Sequence, residues 1–149
     1  MSKVEMSRDY AVDRTRLFDH LVEPSNWPSY YNGMTEVLPY ERFAEPGDAV
    51  TFRYRLLGRM VEGTATLQEL GAGERIAIRT DVKGLPTIVH DWTYEDSEDG
   101  THIRATMDTP PVDSWFGRAI DRFIIPRQLE RDLARTLDNV EDLVAVGFE

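Results

Sequence analysis

The side chains able to carry acid–base or metal chemistry are few and scattered. Histidine occurs only at 20, 90 and 102, and there is no cysteine. No two histidines have the spacing of a ligand pair, and thiolate ligands, disulfides and a cysteine nucleophile are excluded; no zinc or iron site is expected. His90 is the sharpest candidate. Held among Trp92, Tyr54 and Met107, its imidazole could act as a general base; the plainer alternative is a buried histidine bonded to a tyrosine or the backbone. Tyr54 and Tyr94 could present hydroxyls that orient a ligand carbonyl or phenol, or donate to an enolate. These three are the catalytic candidates, and no third member of a proton relay accompanies them. Ser25, Ser29, Ser97 and Ser114 fall at turns or caps without a nucleophile-elbow surround. The glycines are dispersed, giving neither a phosphate loop nor a dinucleotide fingerprint, so no cofactor is expected. Glu95-Asp96-Ser97-Glu98-Asp99 reads as a solvated hairpin tip, too short to gather the oxygens calcium needs.

Strands must position these groups. From Glu36 onward, turn signals recur at Glu45–Asp48, Leu57–Arg59, Gly71–Gly73, Lys83–Pro86 and Asp96–Gly100. They bracket six strands at Thr35–Phe43, Ala49–Leu57, Met60–Leu70, Arg75–Lys83, Thr87–Glu95 and Thr101–Thr109. Connections this short join antiparallel neighbours, because a parallel crossover needs a dozen or more residues. Alternation places Val50, Phe52, Tyr54 and Leu56 on one face, with Val61, Gly63, Ala65 and Leu67, then Ile76, Ile78, Thr80 and Val82. Ile88, His90, Trp92 and Tyr94 join that face with Ile103, Ala105 and Met107. Arg53, Arg55, Arg79, Arg104, Asp81, Asp91 and Asp108 take the wet face, where ion pairs add little stability. No carboxylate is expected on the cavity face beside His90. For Trp92 and Tyr94 to stay beside Ile103 and Ala105, opposed residues of the last two strands must sum to an odd number, which a four-residue loop Ser97–Gly100 satisfies.

Before the meander, Val4–Val12 alternates loosely as a first strand. Asp13 opens a short helix carrying Leu17, Phe18, Leu21 and Val22, ended by Pro24. Asn26–Met34 then concentrates Trp27, Tyr30 and Tyr31 where Pro28 and Gly33 forbid long regular structure. Such aromatics plug the end of a core or line the mouth of a site.

The chain ends on Val112–Val146, which reads as one long amphipathic helix capped by Asp113. Its first stripe is Trp115, Phe116, Ala119, Ile120 and Phe123; its second is Leu129, Leu133, Leu137, Val140 and Val144. The two stripes centre about 70° apart at 100° per residue, and Pro126 between them offers a bend. The half before Pro126 is expected to lie over a pocket and the half after it to grip the sheet. Small Gly63 and Ala65 beside bulky Phe52, Tyr54, Trp92 and Tyr94 suggest a hollow under that grip.

The 149 residues fit one domain, 1–149, with no linker or repeat, and their net charge of −10 and pI near 4.7 oppose nucleic acid and anionic membranes as partners. Met1–Glu5 lacks the apolar run of a signal peptide, and no stretch approaches a membrane span, so a cytoplasmic location is the expectation.

In order, these elements resemble the helix-grip superfamily of START domains, birch-pollen-allergen proteins and polyketide cyclase/dehydrase-like proteins. The resemblance runs through Val12-Asp13-Arg14 with Phe18, through His90–Glu95 followed by Asp99-Gly100-Thr101, and through Phe116-Gly117-Arg118 with Leu129–Leu133. It covers essentially the whole chain and is similar above all to the polyketide cyclase/dehydrase-like group. It implies an α+β helix-grip fold, with a curved antiparallel sheet of about seven strands wrapped on the last helix and two short helices after the first strand. It also implies a cavity for an apolar ligand, lipid-like or aromatic. Its expected lining is Trp27, Tyr30, Phe52, Tyr54, Ile78, His90, Trp92, Tyr94, Met107, Trp115, Phe116, Ile120 and Phe123. Two alternatives stay open: a cyclase or aromatase using the same cavity, and a partner-binding or chaperone-regulating module whose cavity is vestigial. A cavity below about 150 Å³ would favour the last. Whether a reaction is catalysed, and whether the chain is a monomer or a homodimer, are open at this stage.

Overall fold

The computed structural model describes residues 2–56, 58–83, 85–109 and 125–148. Strand β1 (Ser2–Tyr10) is followed by helix α1 (Arg14–Val22) and a 3-10 helix (Pro24–Ser29). Then come β2 (Met34–Val37), β3 (Ala49–Leu56), β4 (Arg59–Gly71), β5 (Arg75–Val82), β6 (Ile88–Ser97), β7 (Gly100–Thr109) and helix α2 (Ile125–Ala145). The strands form one antiparallel sheet in the order β1-β7-β6-β5-β4-β3-β2. The first strand returns to pair with the last, Val4 opposite Met107. The chain from 110 to 124 lies outside the described residues, and with it the Asp113 cap, the first apolar stripe and the bend expected at Pro126.

One face of the sheet is buried and the other wet, as the alternation requires. Val50, Phe52, Ala65, Leu67, Ile76, Ile78, Trp92, Tyr94, Ile103, Ala105 and Met107 form a core with Leu17, Phe18 and Leu21 of α1. From α2 come Leu129, Leu133, Leu137 and Val140, each four or three residues from the next, so one helical stripe supplies the whole contact. Tyr10 fastens this helix to β1, its hydroxyl donating to the Leu137 carbonyl at 2.8 Å. On the wet face Arg75 forks onto Asp91 at 3.0 and 2.7 Å, and Arg79 pairs with Asp81.

Three local features differ from the sequence expectation. β2 stops at Val37 rather than running to Phe43. Pro39 has no N–H to continue the ladder, and the chain leaves the edge so that Tyr40 bonds Glu23 while the Phe43 ring stands 5.3 Å from Trp27. β4 carries a bulge between Leu67 and Glu69, which lets both Leu67 and Leu70 face inward. The β6–β7 register is odd as required, Trp92 opposite Ala105, but Ser97 and Gly100 are themselves paired. The turn is therefore Glu98-Asp99 alone; closing it by two residues preserves the parity that a four-residue loop would give.

Candidate ligand cavity

The site begins at the C-terminal end of α1. The last carbonyls of a helix lack intrahelical donors and must be satisfied by other groups. Here the donors come from the aromatic segment that follows. Trp27 Nε1 and the Tyr30 hydroxyl both donate to the Leu21 carbonyl, and Asn26 donates to the His20 carbonyl. Asn139 of α2 donates to the Tyr30 carbonyl, and the Asn32 N–H donates to Thr136 Oγ1 at 3.1 Å. The segment 26–34 is thus clamped between two helices at the end of the sheet.

Behind it lies a cavity of about 150 Å³. From the sheet it is lined by Phe52, Tyr54, Ile78, Thr80, His90 and Met107; from the clamped segment by Trp27, Tyr31, Asn32 and Met34. Gln128, Leu129, Asp132 and Thr136 close it from α2, and Leu85 and Pro86 stand at the β5–β6 turn. Of the residues expected from sequence, Trp27, Phe52, Tyr54, Ile78, His90 and Met107 stand together on this wall. Tyr30, Trp92 and Tyr94 do not; they surround a second, smaller void of about 10 Å³. The reason is position along the strand. Ile78, His90 and Met107 lie side by side across β5, β6 and β7, and each further inward residue moves about 6.7 Å along β6. Trp92 is one such step beyond His90 and Tyr94 is two. Tyr30 turns away to bond Leu21, so its neighbour Tyr31 faces the cavity instead. Trp115, Phe116, Ile120 and Phe123 lie outside the described residues.

Gly63 does not contribute hollow space. A Cβ there would stand 2.5 Å from the Phe52 ring and 2.7 Å from Val82, so the missing side chain makes room for those two. Gly33, with φ +89°, lies against the Tyr54 ring in the same way and sets its position.

The polar chemistry is concentrated on α2, where no sheet-based reasoning would look. Asp132 accepts from Asn32 Nδ2 at 2.8 Å, from Gln128 Nε2 at 3.1 Å and from the Tyr54 hydroxyl at 3.4 Å. Burial pushes the Asp132 carboxyl above the ordinary carboxylate range, against the pull of those three donors. Burial also raises the Tyr54 phenol to about 12, with the Asp132 charge beside it adding to the shift. A legible signal existed: Asp132 falls between Leu129, Leu133 and Thr136, a carboxylate on the buried stripe of an amphipathic helix. Its place on the wall corrects the expectation that no carboxylate stands on the cavity face with His90; Thr80 reaches the wall as the alternation of its strand requires, whereas Asn32, Gln128 and Thr136 carry no mark in the sequence.

His90 is buried, and burial pushes its imidazole down to about 4, so it is neutral and weakly basic near pH 7. Its Nε2 stands 3.1 Å from Thr80 Oγ1. The other histidines are remote from the cavity. His20 stacks on Phe148 with ring centroids 4.5 Å apart, and His102 Nδ1 lies 2.9 Å from Asp9 on the wet face. Among the described residues no group of three or more histidine, cysteine, aspartate or glutamate side chains could hold a metal ion, and no helix is long and apolar enough to cross a membrane.

Comparison with known proteins gives the same architecture. Protein CV1439 from Chromobacterium violaceum superposes with a TM-score of 0.76 at 16% identity, covering 97% of this chain and 98% of that one. Ara h 8.0201 superposes at 0.72 and 12% identity, covering 97% of each chain. DynU16, from the dynemicin biosynthetic locus, superposes at 0.71 and 11% identity over 99% of this chain and 48% of its own. At such identities the likeness is one of fold. No curated protein matches this chain by sequence. A family model described as polyketide cyclase / dehydrase and lipid transport matches residues 1–145, so the helix-grip fold is joined by sequence membership and the chain belongs to that family.

Proposed function

We propose that the protein binds a compact apolar small molecule, aromatic or lipid-like, in the cavity between the sheet and α2. The observation that carries this reading is the make-up of the wall: mostly apolar side chains, interrupted by a hydrogen-bonded cluster around Asp132 and by the Thr80–His90 pair. A few convergent polar groups in an apolar hollow are the general design of small-molecule sites. The volume of about 150 Å³ stands at the boundary where a vestigial cavity would begin. An apolar space of about that size nevertheless takes up benzene. Burial of apolar surface supplies the affinity, about 25 cal/mol per Å² before ordering costs, and the Asp132–Tyr54 pair orients the ligand. Access runs between Asn32–Met34, the Leu85-Pro86 turn and the start of α2.

Native mass spectrometry of the protein purified from its own organism tests the reading. A retained adduct, absent from an Ile88→Trp variant that fills the wall, supports it. No adduct, together with no melting shift against single-ring aromatics, overturns it.

A second reading is favoured by the same pair. A carboxyl raised by burial and bonded to a phenol can pass a proton to and from a bound carbonyl compound, as a cyclase or dehydrase would need. Turnover abolished in Asp132→Asn with ligand affinity retained would establish it. Affinity and turnover falling together would leave Asp132 a binding group.

A further inference from the structure

Next to the cavity is the smaller void of about 10 Å³, which shares Trp27, Tyr31, Ile78 and His90 with it and is otherwise walled by Tyr30, Trp92, Tyr94, Ile76, Leu21 and Val22. Two of its lining residues bring polar atoms with no hydrogen-bond partner among the described residues: His90 Nδ1 and Trp92 Nε1. Both side chains are more than nine-tenths buried, at 8% and 4% exposure. A buried polar atom without a partner costs free energy of the order of 1–3 kcal/mol, and here two residues that line one void each carry such an atom, which calls for an explanation. The void has about the volume that one water-sized group needs.

The chemistry of that group follows from its neighbours. An indole nitrogen can only donate. Thr80 Oγ1 lies 3.4 Å from the Ile88 carbonyl, to which it can only donate, and 3.1 Å from His90 Nε2. Where the threonine proton goes to Ile88, its oxygen accepts from His90 and Nε2 carries the ring hydrogen, the tautomer that a hydroxyl in the void requires. Nδ1 is then a bare acceptor. The void therefore offers one donor and one acceptor. A carbonyl oxygen satisfies only the indole and an ammonium only the imidazole, whereas a hydroxyl accepts from the first and donates to the second.

We propose that this void is a hydroxyl subsite, in which Trp92 Nε1–H and His90 Nδ1 hold one hydroxyl oxygen. The oxygen is that of a resident water or of a hydroxyl on the molecule in the larger cavity. Where the hydroxyl is the ligand's, His90 is a specificity residue rather than a base, and Trp92, outside the larger cavity, shares that role; where it is a water's, the two residues hold a structural solvent. The ligand source rests on the reading of the larger cavity as a binding site; the water source does not.

The test compares p-cresol with toluene, which differ by one hydroxyl, in calorimetric titrations of the full chain. It adds long-range proton–nitrogen NMR of His90 and high-resolution crystal structures with and without p-cresol. The result expected for a ligand hydroxyl is p-cresol binding at least about tenfold tighter than toluene, the preference vanishing in Trp92→Phe. The result expected for water is equal binding of the two probes, with an ordered oxygen within hydrogen-bond distance of both atoms in the ligand-free crystal. Either is accompanied by the Nε2–H tautomer. No oxygen at that place in either crystal, or an Nδ1–H tautomer, overturns the proposal, as does a p-cresol preference that survives Trp92→Phe with the void empty. If neither probe binds, the ligand reading of the larger cavity fails, while the crystal and the NMR spectrum still decide for or against a bound water.

Discussion

Asp132 and His90 respond to acid in opposite directions, because burial works against the charged form of each. The unfolded chain protonates His90 near 6.5, whereas the folded protein resists until about 4. Its contribution to stability is therefore complete above pH 6.5 and is lost as pH falls toward 4, a loss of about 3 kcal/mol over that span. Chemical denaturation as a function of pH should show this limb in the wild type and not in His90→Gln. Asp132 has the contrary sign: its folded pKa is raised, so its charge costs stability once pH rises through the ordinary carboxylate value toward the folded one. Asp132→Asn keeps an oxygen for Asn32 and Gln128 and removes that charge. The variant should be no less stable than wild type at pH 7, measured by urea midpoint, and should gain less than wild type on acidification. Gly63 is the third position where one atom matters. Gly63→Val must displace the Phe52 ring and crowd Val82; a loss of about 1–3 kcal/mol is expected, with weaker uptake of an apolar probe because Phe52 lines the cavity.

Elements in this fold are tied together by side chains that complete each other's backbone bonding. The aromatic segment after α1 satisfies that helix's terminal carbonyls with Trp27, Tyr30 and Asn26, and is itself held by Asn139 and Thr136 of α2. One segment thus caps a helix with Trp27, Tyr30 and Asn26 and walls the cavity with Trp27, Tyr31, Asn32 and Met34, so plug and mouth are one structure. At the other end of the sheet, the Tyr10 hydroxyl joins β1 to the Leu137 carbonyl. Tyr10→Phe retains the ring and removes that bond; about 1 kcal/mol of stability should be lost. Amide exchange should quicken in β1 and in the facing turn of α2 and remain unchanged in β3 and β4. Bulges and the early end of β2 are element-scale facts of the same kind. The early end of β2 follows from Pro39 lacking a donor, with Tyr40 bonding Glu23 just before the 3-10 helix and Phe43 packing on Trp27 within it.

At the scale of the molecule, an antiparallel sheet covered on one face by two helices and a clamped segment leaves a space none of them fills. A ligand that enters only the folded state stabilises it by mass action, about 2.7 kcal/mol at a hundredfold excess over Kd. For a domain of this size that corresponds to a rise in Tm of roughly 5–10 °C. Scanning calorimetry against toluene concentration should show the shift, and Ile88→Trp should abolish it. The net charge of −10 is an excess of acidic side chains beyond those neutralised in wet-face ion pairs such as Arg75–Asp91, Arg53–Glu36 and Arg104–Glu5. It has no counterpart in the apolar wall, where Asp132 is the acidic side chain present among the described residues.

Alternation and turn chemistry determined the six strands of the meander, their antiparallel pairing and the faces of most of their residues, because a period of two and a short loop leave little choice; the early end of β2, the bulge in β4 and the pairing of β1 with β7 were not among them. The Asp13 cap, the α1 stripe from Leu17 to Leu21 and the parity of the β6–β7 hairpin were legible for the same local reasons. Family membership was legible too, since the order of elements is itself a pattern. Tertiary structure decided what no local rule contains: how far along each strand a residue sits from the helix that covers it. That distance separates His90, on the main wall, from Trp92 and Tyr94, around a smaller void, though all three share one face. It also brings Asp132, a hundred residues away from Asn32 and seventy-eight from Tyr54, into the acidic cluster of the cavity wall. Contacts of that separation depend on how layers pack, and packing is a property of the assembled chain.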